Sequence, residues 1–131
     1  MAVNAVIDAS AIAAVLFVEA ESRAVEETVA GRELFAPSLL PYEIASVGLK
    51  KLRRGQMAEH AVTIAVAALQ DADVTLMAVD MDAVLTLAVT TGLSAYDASY
   101  LWLARQLNAD LITLDNALAA AAGVRSIART A

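Results

Sequence analysis

Residues 3–17 read VNAVIDASAIAAVLF, and the change of character inside this stretch decides the fold. Up to Asp8 the run is short and apolar, the pattern of a buried strand. Beyond it come alanines, a leucine and Ser10, a composition that favours a helix running from Ser10 to near Phe17. Strand passes to helix at a single carboxylate. The same passage recurs at residues 110–123, DLITLDNALAAAAG, where the strand at 110–114 gives way at Asp115 to a short Ala-rich helix stopped by Gly123. Both acids lie at the edge of an apolar segment, where folding alone does not call for them.

The chain between these two units keeps alternating. LFAP at 34–37 and VTLMAV at 74–79 read as strands, with a possible last strand, VRSI, at 124–127. A helix covers roughly 20–30 and stops at Gly31. Another is expected over 39–54, with Ser38 as N-cap, Pro41 tolerated in its first turn and Gly55 as its stop. A further helix covers 56–71. Asp80 caps the next, which ends at Gly92, and Ser94 caps the one after, with Asp97 at the capping-box position. No linker, repeat or low-complexity boundary interrupts the 131 residues, so a single domain over 1–131 is expected. Alternating strands and helices imply an α/β fold with a mostly parallel four- or five-stranded sheet and helices on both faces. Ligands of such sheets bind beyond the carboxyl ends of the strands, where strand order reverses. Asp8 and Asp115 both lie at carboxyl ends and converge there if their strands are neighbours.

Composition narrows the function. The hydrophobic fraction is 60%, above the usual range of about 45–50%. No apolar run reaches the roughly 18 residues of a membrane span, and no basic region precedes the first apolar run as in a secretion signal. There is no cysteine, hence no disulfide framework and no thiolate zinc site. A cytoplasmic protein is expected. The net charge of −6 argues against broad nucleic-acid binding, unless cations offset several of the acids. Basic residues cluster at Lys50, Lys51, Arg53 and Arg54.

Two further acids stand beside apolar stripes in the first turns of helices: Glu43 in LLPYEIAS and Asp97 in LSAYDASYL. Taken singly, most of the four acids have an ordinary explanation. Asp115 fits an N-cap, Asp97 the second half of a capping box with Ser94, and Asp8 a turn residue. Glu43 is harder to explain in this way, because it lies along the stripe defined by Leu40, Ile44 and Val47. Carboxylates near apolar neighbours are costly unless paired, hydrogen-bonded or bound to a cation. Four of them at one end of one sheet repel one another unless something positive lies between them. That pattern points to a divalent-metal site, and hard oxygen ligands suit Mg²⁺ or Mn²⁺.

In VIDASAI, PSLLPYEIASVGLKKL, LSAYDASYLWLA and LITLDNAL the whole chain resembles the PIN-domain ribonucleases, and within them the small VapC-like toxins of toxin–antitoxin pairs. The resemblance implies a three-layer α/β/α fold, Mg²⁺ or Mn²⁺, endonucleolytic cleavage of RNA and a cognate antitoxin. The family's acidic quartet maps onto Asp8, Glu43, Asp97 and Asp115. The hydroxyls that support it map onto Ser10 and Thr113, although Ser10 also fits a helix cap and Thr113 a β-branched strand residue.

For phosphodiester hydrolysis, Asp8 and Asp97 are assigned as direct metal ligands and Asp115 as direct or through water. Glu43 holds a second ion or orients the attacking water. His60, the only histidine, lies mid-helix and is read as a surface or half-buried helix residue. The Lys50–Arg54 cluster either complements a helix end or contacts RNA phosphates. Tyr100 and Trp102 are expected in the core or a dimer interface. The apolar helices at 9–18 and 56–70 suggest a homodimer, with an antitoxin segment in a groove beside the first helices. Other classes fit less well. A phosphoacceptor receiver domain needs a lysine after its last strand, and the only lysines are Lys50 and Lys51. A haloacid-dehalogenase-like phosphatase needs Asp where Ser10 stands. Neither GxGxxG nor GxxxxGK[ST] occurs. The remaining rival is a catalytically silent domain of the same fold that only holds a protein partner.

Overall fold

The computed structural model describes residues 3–124. Its elements are β1 (Asn4–Ile7), α1 (Ala9–Leu16), α2 (Ser22–Val29), β2 (Glu33–Pro37), α3 (Leu40–Arg53), α4 (Glu59–Ala67), a 3₁₀ turn (Ala68–Ala72), β3 (Val74–Met77), α5 (Met81–Thr91), α6 (Ala95–Leu107), β4 (Asp110–Ile112) and α7 (Asn116–Ala122). The possible strand at 124–127 lies, apart from Val124, outside the described residues.

The four strands form one sheet in the order β3-β2-β1-β4, every pair parallel. The first two crossovers step from β1 to β2 to β3 in one direction. The third returns past β1 to place β4 on its other side. Right-handed crossovers then put α1 to α4 on one face and α5 and α6 on the other, and the helices pack accordingly: α1 with α2 and α3, α3 with α4, and α6 with α5 and α7. The reversal falls between β1 and β4. Their register pairs Val6 with Leu111 and Ile7 with Ile112, so the next residues, Asp8 and Thr113, leave the sheet side by side.

β1 lies in the middle of the sheet. Ala5, Val6 and Ile7 are fully buried and pack with Ile44 of α3, Leu101 and Leu103 of α6 and Leu118 of α7. Most of the apolar residues of α1 enter this core: Ala11, Ile12, Ala13 and Ala14 are buried, Val15 and Leu16 half-buried, and Val18, just past the helix, is exposed. Further exposed apolar side chains lie on α4, at Ile64, and on α5, at Met81, Leu85 and Val89. Among the described residues no helix is long and apolar enough to cross a membrane.

Two serines do not cap as expected. Ser38 directly follows β2, and its N–H still bonds to the neighbouring strand by donating to the Met77 carbonyl. Helix α3 starts after Leu39, which makes no side-chain cap bond. Ser10 lies inside α1, whose cap is Asp8. The helix expected over 56–71 begins at Glu59 and tightens to the 3₁₀ turn after Ala67. Asp80 and Ser94 cap α5 and α6 as expected.

Candidate functional site

Beyond the carboxyl ends of β1 and β4 lies a cavity of about 760 Å³, lined among others by Asp8, Ser10, Glu43, Asp97 and Asp115. All four acids singled out from the sequence thus meet in one place. Asp8 comes from the end of β1 and Asp115 from the turn after β4. Glu43 and Asp97 come from the first turns of α3 and α6.

Asp8 is only 3% exposed and is held by three donors. Its Oδ1 accepts from Ser10 Oγ at 2.7 Å and from the Ala11 N–H at 3.0 Å. Its Oδ2 accepts from Thr113 Oγ1 at 2.5 Å. The two hydroxyls are themselves anchored by the backbone after β4: Leu114 N–H donates to Ser10 Oγ at 3.0 Å, and Asp115 N–H to Thr113 Oγ1 at 2.9 Å. Ser10 and Thr113 therefore tie the ends of β1 and β4 together through the Asp8 carboxylate. Asp115 Oδ2 accepts from the Leu118 N–H at 3.2 Å. For Asp8 and Asp115, capping a helix and facing the cavity are not alternatives; each does both. At α6 only half of the capping box forms among the described residues. Ser94 Oγ accepts from the Asp97 N–H at 3.1 Å, while Asp97 turns toward the cavity.

Glu43 is half-buried, and its Oε1 accepts from the Tyr100 hydroxyl at 2.7 Å. The sequence suggested only a core or interface role for Tyr100. Its ring is buried as expected, but its hydroxyl supports the site. Trp102 is half-buried and packs against the core.

The electrostatics oppose four free charges. Burial pushes the Asp8 carboxyl above its ordinary range, against the bonds from Thr113, Ser10 and Ala11, and the charge of Asp97 adds to the rise. Glu43 is raised by burial and by Asp97 and Asp8, with the Tyr100 bond pulling the other way. Asp97 is raised by burial and by Asp115. The Tyr100 hydroxyl is raised far above the usual phenol range by burial, by its bond to Glu43 and by the same acids. These are like charges sharing a poorly solvated space.

The donor set, carboxylates and hydroxyls only, suits a hard divalent cation. Among the described residues, however, no three acidic or histidine side chains are gathered into a set that could hold one ion as they stand. Asp8 and Glu43 are each held by hydrogen bonds in this arrangement, and each carboxylate oxygen keeps a second lone pair with which a cation could be met.

Of the basic cluster, Lys50 lines the cavity. Lys51 instead lies 3.7 Å from Glu19 and sits over the Phe17 ring. Arg53 and Arg54 are exposed at the end of α3, away from the cavity lining. His60 is exposed and lies in the first turn of α4 rather than mid-helix. Tyr42, Ser46 and Tyr96 also line the cavity. Tyr96 stands beside Asp97 in the LSAYDASYLWLA motif, whereas Tyr42 and Ser46 went unmarked in the sequence, although Tyr42 precedes Glu43 as Tyr96 precedes Asp97.

The profile of the PIN domain family matches residues 5–124. Ribonuclease VapC3 of Pyrobaculum aerophilum is 35% identical over 119 residues, spanning 87% of this chain and 91% of that protein. The crystal structure of PAE2754 from the same organism superposes with a TM-score of 0.75 at 28% identity, covering 97% of this chain and 92% of that one. The chain belongs to the PIN domain family.

Proposed function

We propose that this PIN-domain protein is a metal-dependent endoribonuclease and the toxin of a toxin–antitoxin pair. One observation carries the proposal: four carboxylates line one cavity at the strand-order reversal, with burial and mutual repulsion raising Asp8, Glu43 and Asp97. Likeness to Ribonuclease VapC3 supports RNA as the substrate and an antitoxin as the partner. The absence of cysteine suits action in the cytoplasm.

Asp8, Asp97 and Asp115 would hold Mg²⁺ or Mn²⁺, and Glu43 a second ion or the attacking water. A bound ion supplies a more acidic water and polarises the phosphoryl oxygen. The chain supplies the rest. Ser10, Thr113 and the Ala11 N–H fix the Asp8 carboxylate. Tyr100 fixes Glu43 and, with its own proton firmly held, acts as a donor. Lys50, a helical face along from Glu43 and Ser46, offers a phosphate contact. Lys51, Arg53 and Arg54 contribute at most to the outer field.

Homodimerisation is part of the proposal, now supported by the exposed Met81, Leu85 and Val89 along α5, which recur every fourth residue on one helical face. Light scattering at micromolar protein tests it, and a monomer under those conditions counts against it. The central experiment is incubation with an unstructured RNA in Mn²⁺ or EDTA, read alongside thermal melts. Cleavage and a higher melting temperature are expected only with the ion. Identical melts in both, with no RNA cut, overturn the metal nuclease and leave a silent interaction domain.

A further inference from the structure

The chain has one tryptophan, three tyrosines and two phenylalanines. Phe17 and Tyr100 are buried, and Phe35 and Trp102 half-buried. Only Tyr42 and Tyr96 are exposed, at 79% and 63%, and both line the acidic cavity. One exposed tyrosine on a protein needs no explanation. Both exposed aromatics of a chain at the mouth of the same cavity do. Their placement is also matched: Tyr42 immediately precedes Glu43 in the first turn of α3, and Tyr96 immediately precedes Asp97 in the first turn of α6. Neither hydroxyl bonds to another described residue, so nothing in the fold calls for these rings at these positions.

A polyanion entering this cavity meets four acids and, among the lining residues, a single cation, Lys50. The whole chain carries −6. Phosphate contacts and counterion release, which supply most of the affinity of basic nucleic-acid binders, are therefore scarce here. Stacking of bases on aromatic rings needs no net charge and tolerates any sequence. It requires bases that are splayed out of a helix.

We propose that Tyr42 and Tyr96 are stacking residues that hold bases of an unpaired RNA segment on either side of the acidic centre, so that ring stacking rather than charge carries much of substrate binding. The inference rests on the nuclease reading for the identity of the polymer. The two tyrosines are substrate-binding residues that favour unpaired RNA without reading its sequence, and take no part in the chemistry. A ring at each position suffices. Binding is to be less salt-sensitive than for a basic protein, and RNA locked into a duplex is not to bind.

The probe is a short unstructured RNA carrying 2-aminopurine, whose fluorescence falls when it stacks. It is titrated with the full chain in Ca²⁺ and, separately, cleaved in Mn²⁺. Wild type is expected to quench the probe. Tyr42→Ala and Tyr96→Ala each weaken binding roughly 5- to 150-fold, with the loss in KM rather than kcat. Tyr42→Phe and Tyr96→Phe restore both, and melting temperatures do not move. Quenching lost in the alanine variants while wild type cuts no RNA upholds stacking and overturns the nuclease. Cleavage and KM unchanged in both alanine variants overturn stacking and leave the nuclease standing. No binding of the probe by wild type overturns stacking as well. If the alanine variants bind RNA normally but lose affinity for a protein partner, the rings belong to a protein interface and stacking is again overturned.

Discussion

Asparagine and alanine at position 8 separate the two jobs of that residue. Asp8 caps α1 and joins β1 to β4 by accepting from Ala11 N–H, Ser10 Oγ and Thr113 Oγ1; it also brings a charge into the acidic cavity. Asparagine caps a helix as well as aspartate does, and its amide oxygen keeps the Ala11 and Ser10 donors. Its NH₂ would face Thr113 Oγ1, which has a lone pair to spare beyond the one taken by Asp115 N–H. The Thr113 proton can then turn to Ser10 Oγ, 3.4 Å away. Against this rearrangement stands relief from a buried charge and from its repulsion by Asp97. In EDTA, Asp8→Asn should therefore melt no lower than wild type. Asp8→Ala loses the cap, which strands the Ala11 N–H in a buried place, at a cost of about 1–3 kcal/mol. The two hydroxyls retain each other. That loss corresponds to a fall in melting temperature of roughly 5–10 °C for a chain of this size. Both variants should lose RNA cleavage by more than about 100-fold, along with the rise in melting temperature in Mn²⁺. Asp73→Asn is the control, an exposed residue in a left-handed turn that asparagine also tolerates. If Asp8→Asn melts as low as Asp8→Ala in EDTA, the buried charge is not the burden argued here. If it cuts RNA like wild type across Mg²⁺ concentrations, Asp8 is not a ligand.

The raised carboxyls make metal-free stability depend on pH in a definite direction. Asp8, Glu43 and Asp97 bind protons more readily folded than unfolded. Lowering the pH from neutrality through their raised values, toward the ordinary carboxylate range, should therefore stabilise the protein in EDTA. Melts between about pH 7.5 and 5 should show this slope, and saturating Mn²⁺ should flatten or reverse it. Tyr100→Phe removes the bond that favours the Glu43 carboxylate, so the acid limb of the pH–rate profile should move to higher pH; an unmoved limb means Glu43 does not titrate in the reaction. Gly48→Ala should destabilise by about 1–3 kcal/mol despite alanine's better helix propensity. Its Cβ would lie 2.8 Å from Val62 Cγ1 and 3.3 Å from Val66 Cγ2, and valines in a helix have little rotamer freedom to yield. A melting temperature equal to or above wild type shows that α3 and α4 can part without cost.

How much could be read from the residues alone follows from how local each feature is. The passage from strand to helix at Asp8 and Asp115 was legible because a buried strand and an Ala-rich helix carry different patterns over a few residues. The caps at Asp80 and Ser94 were legible for the same reason. The failures began where a residue had a choice of partners. Ser10 looks like a cap by type, yet its hydroxyl is spent between Asp8 and Leu114, the latter brought by β4 from 104 residues away. Ser38 also looks like a cap, but its backbone N–H is tied to Met77 of β3 and the helix starts only after Leu39. Of four neighbouring basic residues, only Lys50 lines the cavity, because a helix sends consecutive positions to different faces and the next position, Lys51, meets Phe17 and Glu19 instead.

Glu43 shows where the limit falls. Its place along the apolar stripe of α3 was enough to say that it points inward, and that an inward carboxylate needs a reason. The reason was not in α3. Tyr100 reaches it from α6, 57 residues along the chain, and the charges it feels come from Asp97 on the same helix and from Asp8 just after β1. α6 lies across the sheet's reversal point because the third crossover turns back past β1. One topological step therefore brings the phenol that steadies Glu43 and the acid that repels it. Shared neighbours at a reversal point can both hold a carboxylate and leave it short of positive charge, and that combination is what a divalent cation relieves.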